Sequence, residues 1–131
     1  MSAPFEGKSV LVTGGSSGIG RATALAFARR GAHVTVAARR KDEGLETVRL
    51  VEEEGGKGAF IQADVTDPAD LARLHQQIIA ARGRLDIAFN NAGFQEPRAP
   101  VAEQDPALYD RVFDTNVRAL YLGLQHQIAT M

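Results

Sequence analysis

The segment Thr13-Gly14-Gly15-Ser16-Ser17-Gly18-Ile19-Gly20 constrains this chain more than any other. It follows the apolar run Val10-Leu11-Val12 and opens a helical stretch. Strand, glycine-rich loop and helix N-terminus in that order form the layout of a dinucleotide-binding turn. Glycines let backbone approach a pyrophosphate closely. The helix start offers free N–H groups and a partial positive charge. The plainer alternative is a tight strand-to-helix turn in which Gly14, Gly18 and Gly20 serve only the path of the chain.

The rest of the chain alternates strand and helix patterns. Val10 to Thr13 reads as a short buried strand, and Gly18 to Arg30 as a helix with Leu25 and Phe27 as its large apolar residues. Gly31 stands where a C-terminal cap belongs. His33 to Ala38 reads as a second strand, and residues 42 to 54 as a charged helix with Leu45, Val48 and Val51 on one side. Ala59 to Ala63 makes a third strand. Asp67-Pro68 is a helix start, with Asp as N-cap and Pro in the first turn. Leu71, Leu74 and Ile78 follow at helical spacing, and Gly83 ends that helix. Leu85 to Asn90 is a fourth strand, and Phe94 to Gln104 a loop. From Pro106 the pattern is helical to the end. Val117, Leu120, Tyr121, Leu124 and Ile128 fall at i, i+3, i+4, i+7 and i+11.

Such alternation implies an α/β architecture: a doubly wound parallel sheet of about four strands with helices on both faces and right-handed crossovers. The expected strand order is 3-2-1-4. A ligand should then sit outside the carboxyl ends of strands 1 and 4, where the chain reverses direction across the sheet.

Composition narrows the field of functions. A chain of 131 residues with 44% apolar and 24% charged residues is ordinary globular material for one domain. A formal charge of −1 points neither to nucleic acid nor to an anionic membrane surface. The absence of cysteine removes disulfides, thiolate metal sites and cysteine nucleophiles together. His33, His75 and His126 have no metal-ligand spacing and are expected at the surface, so no metal site is expected. No signal-like segment or bilayer-length apolar run is present, and a soluble, cytoplasmic protein is the expectation.

Three further motifs carry chemistry. An NAD-binding unit of this kind places an acid at the end of the second strand, against the ribose 2′-hydroxyl. Here Ala38 stands there, followed by Arg39 and Arg40. A guanidinium can grip a 2′-phosphate by paired hydrogen bonds, so NADP is favoured over NAD. The alternative for the two arginines is a solvated strand edge. Asp64-Val65 follows the third strand, where Asp64 can accept from an adenine amino group or simply bond its own turn. Asn90-Asn91-Ala92-Gly93 closes the fourth strand, either locking the strand end beneath a cofactor or forming an Asn-rich turn.

Taken together, Thr13-Gly14-x-x-x-Gly18-Ile19-Gly20, Asp64 and Asn90-Asn91-Ala92-Gly93 resemble the classical branch of the short-chain dehydrogenase/reductase family. The resemblance covers essentially the whole chain. It implies a Rossmann-type fold, a nicotinamide cofactor, and hydride transfer to or from a carbonyl or alcohol carbon of a small-molecule substrate. It implies that Gly14, Ser16, Ser17, Gly18, Ile19 and Gly20 cradle the diphosphate, that Asp64 and Val65 meet the adenine, and that Asn91, Ala92 and Gly93 meet the adjoining ribose. Asn116, in Asp114-Thr115-Asn116-Val117, matches the family's catalytic Asn on a kinked helix whose backbone holds a water in a proton relay. The other reading is a side chain that caps or bends the helix without chemistry. A dimer or tetramer built through the helix of residues 106 to 130 is also implied.

The chain departs from the family pattern in one respect. The family uses a Ser and a Tyr-x-x-x-Lys, with Tyr as general acid/base. Only Tyr109 and Tyr121 occur here, with Phe113 and Gln125 four residues on. The chain is therefore expected to be the N-terminal portion of a larger single-domain enzyme, inactive by itself, with only Phe94 to Arg98 as a rim for substrate. A non-catalytic dinucleotide-binding or interaction module is the rival reading. A methyltransferase on a similar sheet fits poorly, because an adenosyl donor wants an acid where Ala38 stands.

Overall fold

The computed structural model describes residues 3–131. Four parallel strands form one sheet in the order β3-β2-β1-β4: β1 (Ser9–Thr13), β2 (His33–Ala38), β3 (Lys57–Gln62) and β4 (Ile87–Asn90). The helices between them are α1 (Gly18–Arg29), α2 (Lys41–Glu53) and α3 (Pro68–Arg82). After β4 come a 3-10 turn (Val101–Glu103), α4 (Pro106–Phe113), a π-helical turn (Asp114–Arg118) and α5 (Ala119–Thr130). The strand order is the one expected from the alternation.

The two faces of the sheet follow from the period of two along a strand. Val10, Val12, Val34 and Val36 point to one face, where they pack with Ala24 and Ala28 of α1 and Val51 of α2. Leu11 and Ala37 point to the other, with Leu74 and Ile78 of α3. Every residue of β1 is buried, as a central parallel strand covered on both sides requires. Truncating a side chain such as Leu74, fully buried in this core, would cost about 2–5 kcal/mol.

Local chemistry sets the helix ends. Asp67 Oδ1 accepts from the Ala69 N–H at 2.9 Å, with Pro68 in the first turn. Asp105 and Pro106 repeat the device at α4, where Asp105 Oδ1 accepts from Ala107 N–H at 3.0 Å. Gly83 closes α3 in the left-handed region at φ 75°.

The structure corrects several boundaries. β3 begins at Lys57 rather than Ala59, because its register against β2 runs from His33–Lys57 onward. β4 begins at Ile87 rather than Leu85. Leu85 turns into the core, and the Asp86 carboxylate accepts from Ser9 N–H at 2.8 Å and from the Arg84 guanidinium. Leu45 is 46% exposed, whereas Val48 and Val51 pack on the core as expected, with Gly44 and Thr47 buried beside them. The continuous C-terminal helix is interrupted by the π-helical turn. His75 is not at the surface: it is 2% exposed, because it shares the buried stripe of Leu71, Leu74 and Ile78. Its ring stacks on His126 of α5 with centroids 5.2 Å apart.

Candidate functional site

The carboxyl ends of the four strands open onto a cleft of about 400 Å³. The loop after β1 supplies one wall with Gly14, Ser16 and Ser17, and the end of β2 supplies Ala38, Arg39 and Arg40. Asp64, Val65 and Thr66 after β3 and Asn91, Ala92, Gly93 and Phe94 after β4 supply the others, with Arg111 and Thr115 closing it from the C-terminal helices.

The loop wall is tightly interlocked with the end of β4. Thr13 Oγ1 accepts from the N–H groups of Asn91 at 3.0 Å and Ala92 at 3.2 Å. Asn91 Nδ2 donates to Gly14 O at 3.2 Å. A Cβ on Gly20 would lie 2.1 Å from Gly14 O, so α1 can approach the loop this closely only with glycine there. Gly18 starts α1 at φ 57°, beside open space. The N-cap Ser17 makes no side-chain capping bond; its Oγ instead accepts from Arg40 Nη2 at 3.2 Å. Among the described residues the first N–H groups of α1 have no side-chain acceptor, the condition for an anion to answer them.

At the end of β2 the two arginines differ. Arg40 is engaged, with Glu43 Oε2 2.8 Å away as well as Ser17. The Arg39 guanidinium is exposed and makes no hydrogen bond or ion pair with the described residues. Its backbone carbonyl accepts from Gln62 Nε2 at 2.9 Å. After β3, Asp64 Oδ1 accepts from Thr66 N–H at 2.9 Å and Thr66 Oγ1 at 2.6 Å. Asp64 thus makes its own turn at the wall of the cleft. Asp70 Oδ2 accepts from Asp64 N–H at 2.9 Å, and that bond, with Arg73 beside it, holds the Asp70 carboxyl below the usual range.

Asn116 lies outside this cleft, in a smaller hollow of about 110 Å³ that shares Val65, Ala92 and Thr115 with it. Both ends of its amide engage one residue: Oδ1 accepts from Phe94 N–H at 2.8 Å and Nδ2 donates to Phe94 O at 2.7 Å. Phe94 is fixed on its other side by Arg111, whose guanidinium carbon is 3.9 Å from the ring centroid. The π-helical turn at Asp114–Arg118 places Asn116 at this point.

The structure therefore gathers Gly14, Ser16, Ser17, Arg39, Arg40, Asp64, Val65, Asn91, Ala92 and Gly93 around one cleft. Gly18 and Gly20 support the loop without forming its walls, and Ile19 points to solvent at 71% exposure. The sequence reading missed Arg111 and Thr115, although their spacing of four on a helix puts them on one face. It also missed Thr47, whose signal is a hydroxyl on the buried side of α2. Among the described residues no group of His, Cys, Asp and Glu can hold a metal ion, and no helix is long and apolar enough to cross a membrane.

Residues 8–131 match the family model described as short chain dehydrogenase. The chain belongs to the short-chain dehydrogenase family. Over 92% of its length it is 40% identical to an A-factor type gamma-butyrolactone 1'-reductase (1S-forming) of Streptomyces virginiae, covering 47% of that protein. Among solved structures it superposes on a metagenomic short-chain oxidoreductase in complex with NADP with a TM-score of 0.94 at 31% identity, over 99% of this chain and 58% of that one. An NADH-dependent reductase complexed with NAD gives 0.90 at 34% identity, over 99% and 54%. Solved structures that resemble this chain thus include complexes with either dinucleotide. The chain spans about half the length of the curated relatives it matches.

Proposed function

We propose that this chain is the cofactor-holding region of an NADP-preferring oxidoreductase that acts on a small-molecule carbonyl or alcohol. The observation that carries the reading is the uncapped start of α1 beside the glycine-walled cleft, with an uncommitted Arg39 at its far end. The chemistry a bound nicotinamide supplies is hydride transfer. The residues do the holding. The N–H groups of Ser16, Ser17 and Gly18, with Ile19 and Gly20 behind them, receive the diphosphate, as helix N-termini receive anions. Arg39 takes the 2′-phosphate, and Arg40, already paired with Glu43, assists. Asp64 and Val65 meet the adenine; Ala92 and Gly93 bear the ribose, with Asn91 bracing the loop. Asn116 acts through Phe94 and the π-helical turn, shaping the wall next to the substrate.

Within these residues nothing supplies the proton that carbonyl reduction needs. Tyr109 and Tyr121 are 63% and 62% exposed, neither forms a wall of the cleft, and neither is followed by Lys at the fourth position. The 131 residues alone therefore bind cofactor without turnover. Pairing through α4 and α5 into a dimer or tetramer is part of the same reading, supported by exposed Val117, Tyr121 and Ile128. Isothermal titration of the chain with NADPH and NADH is the test. Saturable binding that favours NADPH is expected; no binding of either would overturn the reading.

A further inference from the structure

Arg21 follows the glycine-rich loop on the first turn of α1, and its guanidinium is turned towards α2. Nη2 donates to Ser16 O at 2.7 Å and to Glu43 O at 3.1 Å, and Nε donates to Thr47 Oγ1 at 2.9 Å. Thr47 is fully buried, and its hydroxyl, having accepted from Arg21, donates to Gly15 O at 2.7 Å. The carbonyls of two successive loop residues are thus held from outside the loop, by a rigid guanidinium fork and a single hydroxyl. In a trans peptide the C=O of one residue and the N–H of the next point opposite ways. Fixing Gly15 O and Ser16 O against α2 therefore turns the N–H groups of Ser16 and Ser17 away from α2, and both residues wall the cleft. Neither Arg21 nor Thr47 forms a wall of that cleft.

We propose that Arg21 and Thr47 are positioning residues for the dinucleotide, aiming the loop N–H groups at the diphosphate before it arrives. The inference rests on the cofactor reading above. Their contribution is preorganisation: a loop already in its binding shape loses no further freedom when the ligand docks. A ligand that lacks the diphosphate gains nothing from it.

The experiment is calorimetric titration of the full 131-residue chain and its variants with NADPH, NADH and 2′-AMP, which carries adenosine and the 2′-phosphate but no diphosphate. Thr47→Val keeps the shape and removes the hydroxyl; Thr47→Ser restores it. Arg21→Lys keeps the charge and removes the fork, and stands in if Thr47→Val fails to fold by circular dichroism. Thr47→Val and Arg21→Lys are expected to weaken dinucleotide binding about tenfold, the scale of one lost buried hydrogen bond. Thr47→Ser and the affinity of every variant for 2′-AMP are expected to stay within about twofold of the parent. Unchanged dinucleotide binding in Thr47→Val, or equal weakening of NADPH and 2′-AMP, overturns this inference alone. Failure of the unsubstituted chain to bind either dinucleotide overturns the cofactor reading, and this inference with it.

Discussion

Asn90 and Gln127 close on each other as a reciprocal amide pair, with Asn90 Nδ2 donating to Gln127 Oε1 at 2.9 Å and Gln127 Nε2 donating to Asn90 Oδ1 at 2.8 Å. Gln127 is 2% exposed, so the pair ties the end of β4 to α5 from inside the molecule. Gln127→Leu leaves the Asn90 amide half-buried without its partner. That is expected to cost about 1–3 kcal/mol, read as a lower urea midpoint at unchanged slope. In a cycle with Asn90→Ala the two effects should couple by at least about 0.5 kcal/mol; simple additivity would show that the pair is not a unit.

The two-point grip of Asn116 on Phe94 makes a different prediction. Asn116→Leu keeps the bulk of the side chain and removes both bonds. The Phe94 amide proton should then exchange with solvent much faster, while the amides of β1 keep their protection. Hydrogen exchange followed residue by residue decides it, and an unchanged Phe94 rate would mean that the loop is held elsewhere.

Arg39 and Arg40 should not be equivalent towards the cofactor. Arg39→Asp places a carboxylate where a 2′-phosphate would lie and is expected to lower the NADPH-to-NADH affinity ratio at least about tenfold. Arg40→Gln should lower it less, because that guanidinium is already shared between Glu43 and Ser17. Equal affinity ratios before and after Arg39→Asp would remove Arg39 from cofactor recognition.

Burial pushes the His75 imidazole below its ordinary value of 6.5, and the stacked His126 pushes the same way against the raising effect of the bond to Leu71 O. His33 is lowered too, first by burial and then by Arg82. In both cases the folded state favours the neutral ring, so the unfolded chain binds more protons in this range and stability rises with pH. The contribution is intact above the ordinary value and is lost as pH falls through the histidine range. His75→Leu should flatten the unfolding free energy between about pH 7 and 5, with His33 leaving a residual slope. A slope identical to that of the parent would place the acid sensitivity elsewhere.

What could be read from the chain and what could not divide along the distance between interacting residues. Asp67-Pro68, Gly83 and the strand order were legible, because capping, left-handed glycine and βαβ alternation act within a few residues or through a general rule of handedness. Leu85 has the apolar character of a strand residue but turns into the core, while Asp86 meets Ser9, 77 positions away, through both its backbone N–H and its carboxylate. The lack of metal-ligand spacing says nothing of burial, which for His75 follows from its place on the Leu71–Ile78 stripe. The residues that surround the cleft after β1 to β4 stood out as motifs. Arg111 and Thr115 did not, since nothing local marks which turn of a late helix returns over the sheet. The π-helical turn leaves no mark on a pattern of period 3.6 residues.

The bonds from Arg21 and Thr47 also bear on how members of this family can be recombined. The glycine-rich loop does not take its shape from its own eight residues alone: besides its ties to the end of β4, Arg21 and Thr47 link it to α2 through contacts 22 to 32 positions along the chain. A crossover between two parents placed in residues 38 to 41 would split the clasp, pairing one parent's loop and Arg21 with the other parent's Thr47. A crossover at Gly55-Gly56, after α2 has ended, would carry loop and clasp across together as a single inheritable block.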